Sequence, residues 1–153
     1  MRTEPGMRLG LQRTRGVTLI ELLTVVAVVA ILAAISVQSY RGYLLRAHRT
    51  DATTTLLRIQ VAEEKFFLQN NTYTTNLNAA PPGGLGIATA TQNGYYNVAV
   101  APDANSTNNI ATSFAATATA TGGQTKDTGC LTFTINDQGQ KGPTQTAVNN
   151  CWK

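Results

Sequence analysis

The chain has 153 residues and a formal net charge of +4 from twelve lysines and arginines against eight acidic residues, so its length bounds it to about one domain. One histidine, two cysteines and no phosphate-cradling glycine loop argue against a metal centre, a zinc site and phosphoryl transfer. No serine sits in a nucleophile-elbow context, and the chain reads as a non-enzyme without a cofactor. The positive charge is unevenly spread: Arg2, Arg8, Arg13 and Arg15, opposed only by Glu4, supply +3 of it within the first sixteen residues. From residue 54 onward, Arg58, Lys65, Lys126, Lys141 and Lys153 are matched by Glu63, Glu64, Asp103, Asp127 and Asp137. That part is formally neutral and carries no general nucleic-acid footprint.

Residues 1–16 form a polar, arginine-rich leader, and such charge stays on the cytoplasmic side of a membrane. The remainder is thereby directed outward. Met7 is an alternative start that would shorten the leader. Residues 17–37 are apolar except for Thr18, Glu21, Thr24 and Ser36, long enough to cross a bilayer that requires about 20 residues. A secretory signal cut near Ala33 or Ala34 is the competing reading, and Glu21 inside the run argues against it. A carboxylate among lipid tails costs roughly 2.5–3.5 kcal/mol. Were the Gly16–Val17 bond cut, the new α-amine, with an ordinary pKa of about 7.7–8.0, would lie one helical turn from Glu21. It could meet that carboxylate in its own chain or in a packed neighbour and fix their register. The alternative is a carboxylate that stays protonated, or lies near the headgroups, and has no role.

Beyond Val37 the apolar character becomes periodic, with no proline between Pro5 and Pro81. Leu45, Ala52, Leu56, Ile59 and Phe66 recur at helical spacing, and Leu57, Val61 and Leu68 are expected to widen that stripe. The spacing predicts one helix to about Gln69, roughly 80 Å long from Val17; Gly42 leaves open a membrane helix followed by a separate amphipathic one. Arg41, Arg46, His48 and Arg49 cluster where the helix would leave the bilayer. They read either as partners for acidic residues or lipid phosphates, or as snorkelling side chains, with His48 a solvated helix residue.

From Asn70 the composition turns to Asn, Thr, Gly and Pro, and Pro81-Pro82-Gly83-Gly84 marks a long helix-to-sheet loop. Alternation then predicts strands at 95–100, with Tyr96, Val98 and Val100 on one side, at 110–120 through Thr112, Phe114 and Ala116, and at 131–135 with Leu131, Phe133 and Ile135 inward. Asn136-Asp-Gln-Gly139 turns the chain, and residues 144–150 return it to Cys151. In a chain that exports this part, Cys130 and Cys151 read as a disulfide contributing about 3 kcal/mol; two reduced thiols are the alternative. The whole is of the α+β class, three or four antiparallel strands against a helix face.

The string Gly16-Val-Thr-Leu-Ile-Glu21 resembles the cleavage and assembly motif of type IV pilins, Gly-Phe-Thr-Leu-Ile-Glu, with Val17 in place of the commoner Phe. Ala47-His-Arg-Thr-Asp51, Gln60-Val-Ala-Glu-Glu-Lys-Phe-Phe-Leu-Gln69, Thr72-Tyr-Thr74, Cys130-Leu-Thr-Phe-Thr-Ile and Cys151-Trp152 are similar to minor pilins of the type IVa PilE and ComP kind. The resemblance implies a type IV pilin fold, a long N-terminal helix on a small antiparallel sheet with a C-terminal disulfide loop. It implies a prepilin peptidase that cuts after Gly16 and N-methylates Val17, with Glu21 as the assembly carboxylate. The implied layout is a leader (1–16), a transmembrane and assembly half-helix (17–37), an amphipathic half-helix (38–69), a loop (70–94) and the sheet with its disulfide region (95–153). Implied partners are other pilin subunits, the peptidase, an inner-membrane assembly platform and, before assembly, membrane lipid. The place implied is the inner membrane with the head in the periplasm, then an extracellular pilus serving adhesion, twitching motility or DNA uptake. The helix-loosening glycine and proline of the family fall at Ala30 and Gln38. Two alternatives stay open: a DNA receptor with Lys126, Lys141 and Lys153 as phosphate contacts, although Asp127 and Asp137 lie among them, and a type II secretion pseudopilin, which the terminal disulfide disfavours. Asn70-Asn71-Thr72 and Asn105-Ser106-Thr107 match the glycosylation pattern.

Overall fold

The computed structural model describes residues 16–143 and 150–152. The leader arginines, Met7, most of the return run 144–150 and Lys153 lie outside the described residues. The chain divides into two compact units, one ending at Ser39 and one from Tyr40 onward, and a single helix, α1 (Leu19–Asn70), belongs to both.

In the first unit every described residue whose side chain is placed is exposed. An 18-residue window of α1 here has a mean hydropathy of 2.7, long and apolar enough to cross a membrane. Its hydroxyls are satisfied within the helix itself: Thr24 Oγ1 donates to the Glu21 carbonyl at 2.8 Å and Ser36 Oγ to the Leu32 carbonyl at 2.8 Å. They therefore add little polarity to the run.

In the second unit α1 buries Ala52, Thr55, Leu56, Ile59 and Glu63, spaced so that they share one side of the helix. Leu57, Val61 and Leu68, expected to widen that stripe, are instead 44%, 70% and 85% exposed. The sheet covers only one side of α1, and the positions next to that contact are taken by Thr55 and the carboxylate Glu63. The helix ends at Asn70, and Asn71, with φ 54°, supplies the left-handed residue that closes it by donating its N–H to the Phe67 carbonyl at 2.8 Å.

Four strands, β1 (Tyr96–Ala101), β2 (Ala115–Ala120), β3 (Thr132–Asn136) and β4 (Lys141–Gly142), form an antiparallel meander in that order. Alternation fixes its facing: Tyr96, Val98 and Val100 on β1 point inward, opposite Ala116, Ala118 and Ala120 on β2, with Phe133 and Ile135 on β3. The edge of Tyr96 meets Phe133 at 5.5 Å between ring centres. The second strand is shorter than its alternation suggests, because residues 110–113 turn before it and Phe114 is buried ahead of its first residue. Leu131 precedes β3 and is 41% exposed rather than inward. Gly139 takes φ 72° in the turn after β3.

The segment after α1 is a folded layer rather than an open loop. Leu77, Leu85, Ile87 and Thr91 are buried, and Leu85 and Ile87 donate their N–H groups to the Asn76 and Leu77 carbonyls at 3.1 and 2.7 Å. A disulfide joins Cys130 to Cys151, with Cα atoms 5.7 Å apart. Every buried side chain among the described residues lies between Ala52 and Cys151. The head, residues 40–153, thus keeps its whole core and its covalent staple when the first unit is removed.

Candidate assembly and nucleic-acid sites

Gly16, Val17 and Thr18 precede the first turn of α1 in a non-helical stretch, all exposed. Thr18 caps the helix: its Oγ1 accepts the Glu21 N–H at 3.2 Å, and its carbonyl accepts the Leu22 N–H at 3.2 Å. Threonine followed three residues later by glutamate is the sequence form of a capping box, and a carboxylate in the first turn also complements the positive end of the helix dipole. The position of Glu21 therefore has a local reason as well as the assembly role expected of it. A new amine at Val17 would add positive charge beside that same helix end, where the nearest described carboxylate in sequence is Glu21.

Of the polar cluster expected where the helix would leave the bilayer, His48 and Arg49 turn inward, whereas Arg41 and Arg46 are exposed. Arg49 grips Asp127 with two parallel bonds, Nε to Oδ2 at 2.7 Å and Nη2 to Oδ1 at 2.8 Å, and its Nη1 donates to the Asn150 carbonyl at 3.1 Å. The bond to Asp127 is the main reason the guanidinium pKa lies above its ordinary value. His48 is not a solvated residue: its ring stacks on Tyr95 at 3.7 Å between centres, and its Nδ1 lies 3.1 Å from Gln124 Oε1. The Gln124 amide Nε2 points at the Leu45 carbonyl, the Tyr96 hydroxyl and Asp127 Oδ2, at 3.0, 2.9 and 3.3 Å. With those acceptors around the nitrogen, Oε1 is the amide atom facing His48, so His48 Nδ1 carries the hydrogen. Burial pushes the Tyr96 hydroxyl up to about 12, against the opposing effect of the Gln124 amide. These groups fasten a short 3-10 turn, Gly122–Lys126, onto α1.

That fastening places the predicted lysines. Lys126 ends the 3-10 turn, exposed, beside an Asp127 whose charge is already matched by Arg49. Lys141 opens β4, also exposed, with its Nζ 5.0 Å from the centre of the Trp152 ring, while Trp152 Nε1 donates to the Gly142 carbonyl at 3.0 Å. Lys153 lies outside the described residues. Sequence reasoning missed Gln124 and the Arg49–Asp127 pair, whose partners are 78 residues apart. The one available cue was that His48 and Arg49 fall four and three residues before Ala52, on the buried side of the helix. Among the described residues no group of three His, Cys, Asp or Glu side chains is arranged to hold a metal ion.

Residues 11–37 match the model of the prokaryotic N-terminal methylation motif, which joins a membrane-length helix and a disulfide-closed antiparallel head into the architecture of a type IV pilin. Residues 38–134 match the family described as type IV minor pilin ComP, DNA uptake sequence receptor, and the chain belongs to that family. It is a type IV pilus minor pilin, a structural subunit that begins as a membrane-anchored precursor. A solved type IV pilin from Shewanella oneidensis is similar at 22% identity and a TM-score of 0.48, over 71% of this chain and 98% of that one. No curated protein matches the chain.

Proposed function

We propose that the precursor is cut between Gly16 and Val17 by a prepilin peptidase on the cytoplasmic face, that Val17 is N-methylated, and that Glu21 receives the resulting amine of a neighbouring subunit during assembly at an inner-membrane platform. The head then faces the periplasm before it joins the extracellular filament. The observation that carries this reading is the exposed, non-helical Gly16-Val17-Thr18 segment running directly into a helix whose first turn holds a carboxylate. A peptidase needs extended backbone at the bond it cuts, and a Cβ at Gly16 meets nothing within 4 Å in the subunit. The fold of the chain therefore tolerates Gly16→Ala or Gly16→Leu, and any loss of maturation in those variants reflects the peptidase. Mass spectrometry of protein from sheared surface filaments is expected to report an N-terminus at methylated Val17 for the native chain and none for Gly16→Leu. Recovery of Gly16→Leu as normally shortened, filament-incorporated protein would overturn the assignment.

A second reading, uptake of DNA by the head, is favoured by the family description and by one geometric point. Asp127, which would oppose Lys126, is held by Arg49, and this leaves Lys126 and Lys141 as exposed cations around the disulfide region. Phosphate contacts make affinity fall steeply with salt, and each lysine lost should flatten the logarithmic salt slope by about 1. Gel-shift titration of the head at low and moderate salt, with Lys126→Ala and Lys141→Ala beside the native protein, tests it. Absence of binding at low salt ends the receptor reading and leaves the filament reading untouched.

A further inference from the structure

The outward side of α1 and the folded segment after it enclose an open groove of about 600 Å³ that the assembly and DNA readings do not use. Its apolar surface comes from Leu57, Val61 and Phe66 on the helix and from Ile87 opposite. The wall opposite the helix is preformed. Gly86 donates to the Ala79 carbonyl at 2.8 Å, and Gly84 sits so close to its neighbours that a Cβ there would lie 2.5 Å from the Asn76 oxygen. Two cations, Arg58 and Lys65, also line the groove, no acidic side chain does, and among the described residues neither cation makes an ion pair. They are seven residues apart, two helical turns and about 10 Å along the axis.

We propose that this groove receives an acidic amphipathic helix from a partner protein. An apolar face laid between α1 and the 81–87 wall covers Val61, which is 70% exposed, as helix-in-groove recognition does elsewhere. Carboxylates seven residues apart on the incoming helix meet Arg58 and Lys65 together, the spacing logic by which charges flanking a helix seam choose partners. The groove runs from Thr54 to Gln69, about 22 Å, or four turns of an opposing helix. A second copy of this chain is a poor occupant: the carboxylates of α1, Glu21, Asp51, Glu63 and Glu64, include no two that are seven residues apart, and the head part of that helix would bring Arg58 and Lys65 as like charges into the groove.

The head, residues 40–153, is titrated by fluorescence anisotropy with a labelled model peptide of about 20 residues, long enough to hold a helix in water. The peptide has leucines along one side and two glutamates seven apart beside them; a matched peptide has lysines at those two positions. Saturable binding of the glutamate peptide, at least about tenfold tighter than the lysine peptide, is expected. The double variant Arg58→Glu/Lys65→Glu should reverse that preference, and Val61→Asp should abolish binding of both. All three positions are at the surface, so a matched thermal melt accompanies each variant. Absence of saturable binding, or equal binding of both peptides, overturns the proposal. So does one-to-one binding of sodium oleate without the peptide, which would make the groove a lipid site. Concentration-dependent dimerisation of the head that Val61→Asp abolishes would give it to a second copy and overturns the proposal as well.

Discussion

Along α1 the same backbone serves two opposite economies of burial. Leu19 and Ile31 are 82% and 63% exposed and no described side chain in the first unit is covered, whereas Ala52, Leu56 and Ile59 are 0% exposed. The order of the first stretch is local, made of helix bonds, a threonine cap and hydroxyls turned back on their own carbonyls. Its apolar surface can leave water only by entering lipid or meeting other subunits. The order of the second stretch comes from its own head, where the hydrophobic spacing, the sheet and the disulfide all act within one chain. Assembly determinants and stability determinants should therefore separate cleanly by mutation.

The largest effect expected is on the first side of that divide. Glu21→Val should leave cleavage after Gly16 and the melting temperature of the protein unchanged, while filament incorporation falls roughly tenfold or more, as expected when a buried charge loses its partner. The amount of variant in sheared filaments, set against the cell-associated processed form, measures it. Normal incorporation of Glu21→Val would break the contrast, because the apolar run would then assemble without a charge pair.

On the head side, Glu63 is the sharper probe. Its side chain is fully buried, Oε2 accepts the Thr74 N–H at 3.1 Å and Oε1 has no partner among the described residues. Burial raises its pKa to about 7, with a further push from Glu64 and an opposing pull from the Thr74 N–H. The charge acting on it is Glu64 on the same helix, a like charge that favours the protonated form. Because the folded pKa lies above the unfolded one, the head binds the extra proton. The contribution of Glu63 to stability is then full below about pH 4.5 and falls as pH rises to about 7, by on the order of 3 kcal/mol. Urea denaturation of the head across that window should show the fall in the native protein and a flat response in Glu63→Gln, with no change in processing of the full chain.

How much of this was legible in the residues follows the range over which each feature is decided. The cleavage motif, the membrane-length run, the strand around Tyr96–Val100 and the inward pair Phe133 and Ile135 are local patterns, set by periods of 3.6 and 2. The outward position of Leu57, Val61 and Leu68 was not legible, because apolar residues adjoining a helix stripe look alike whether a sheet or solvent faces them. Glu63 was equally hidden, since its burial depends on the Asn71–Thr74 backbone folding back over it. The folded layer after α1 lacks periodicity altogether and is held by backbone bonds such as Ile87 to Leu77. The inward turn of His48 and Arg49 needed knowledge of Gln124 and Asp127, far along the chain.

Arg49 gives the smallest and most discriminating test. The pair with Asp127 is only 17% and 8% exposed, so Arg49→Met keeps the packing of the stem while it removes both bonds to the carboxylate and the one to Asn150. The expected cost is about 2 kcal/mol, the loss of hydrogen bonds to a charged group, measured by denaturation of the head. Among the described residues Asp127 would then keep only the 3.3 Å contact from Gln124 Nε2, and most of the cost is its unmatched charge. The double variant Arg49→Met/Asp127→Leu should therefore recover part of the loss, because replacing both partners by apolar groups leaves no stranded anion. If the double variant is instead as damaged as the two single changes added together, the pair does not act as a unit. The same single variant also bears on the lysines: an unpaired Asp127 beside Lys126 should weaken any DNA binding without altering filament incorporation, so the head's fastening and its surface charge would change together while the membrane half of α1 does not.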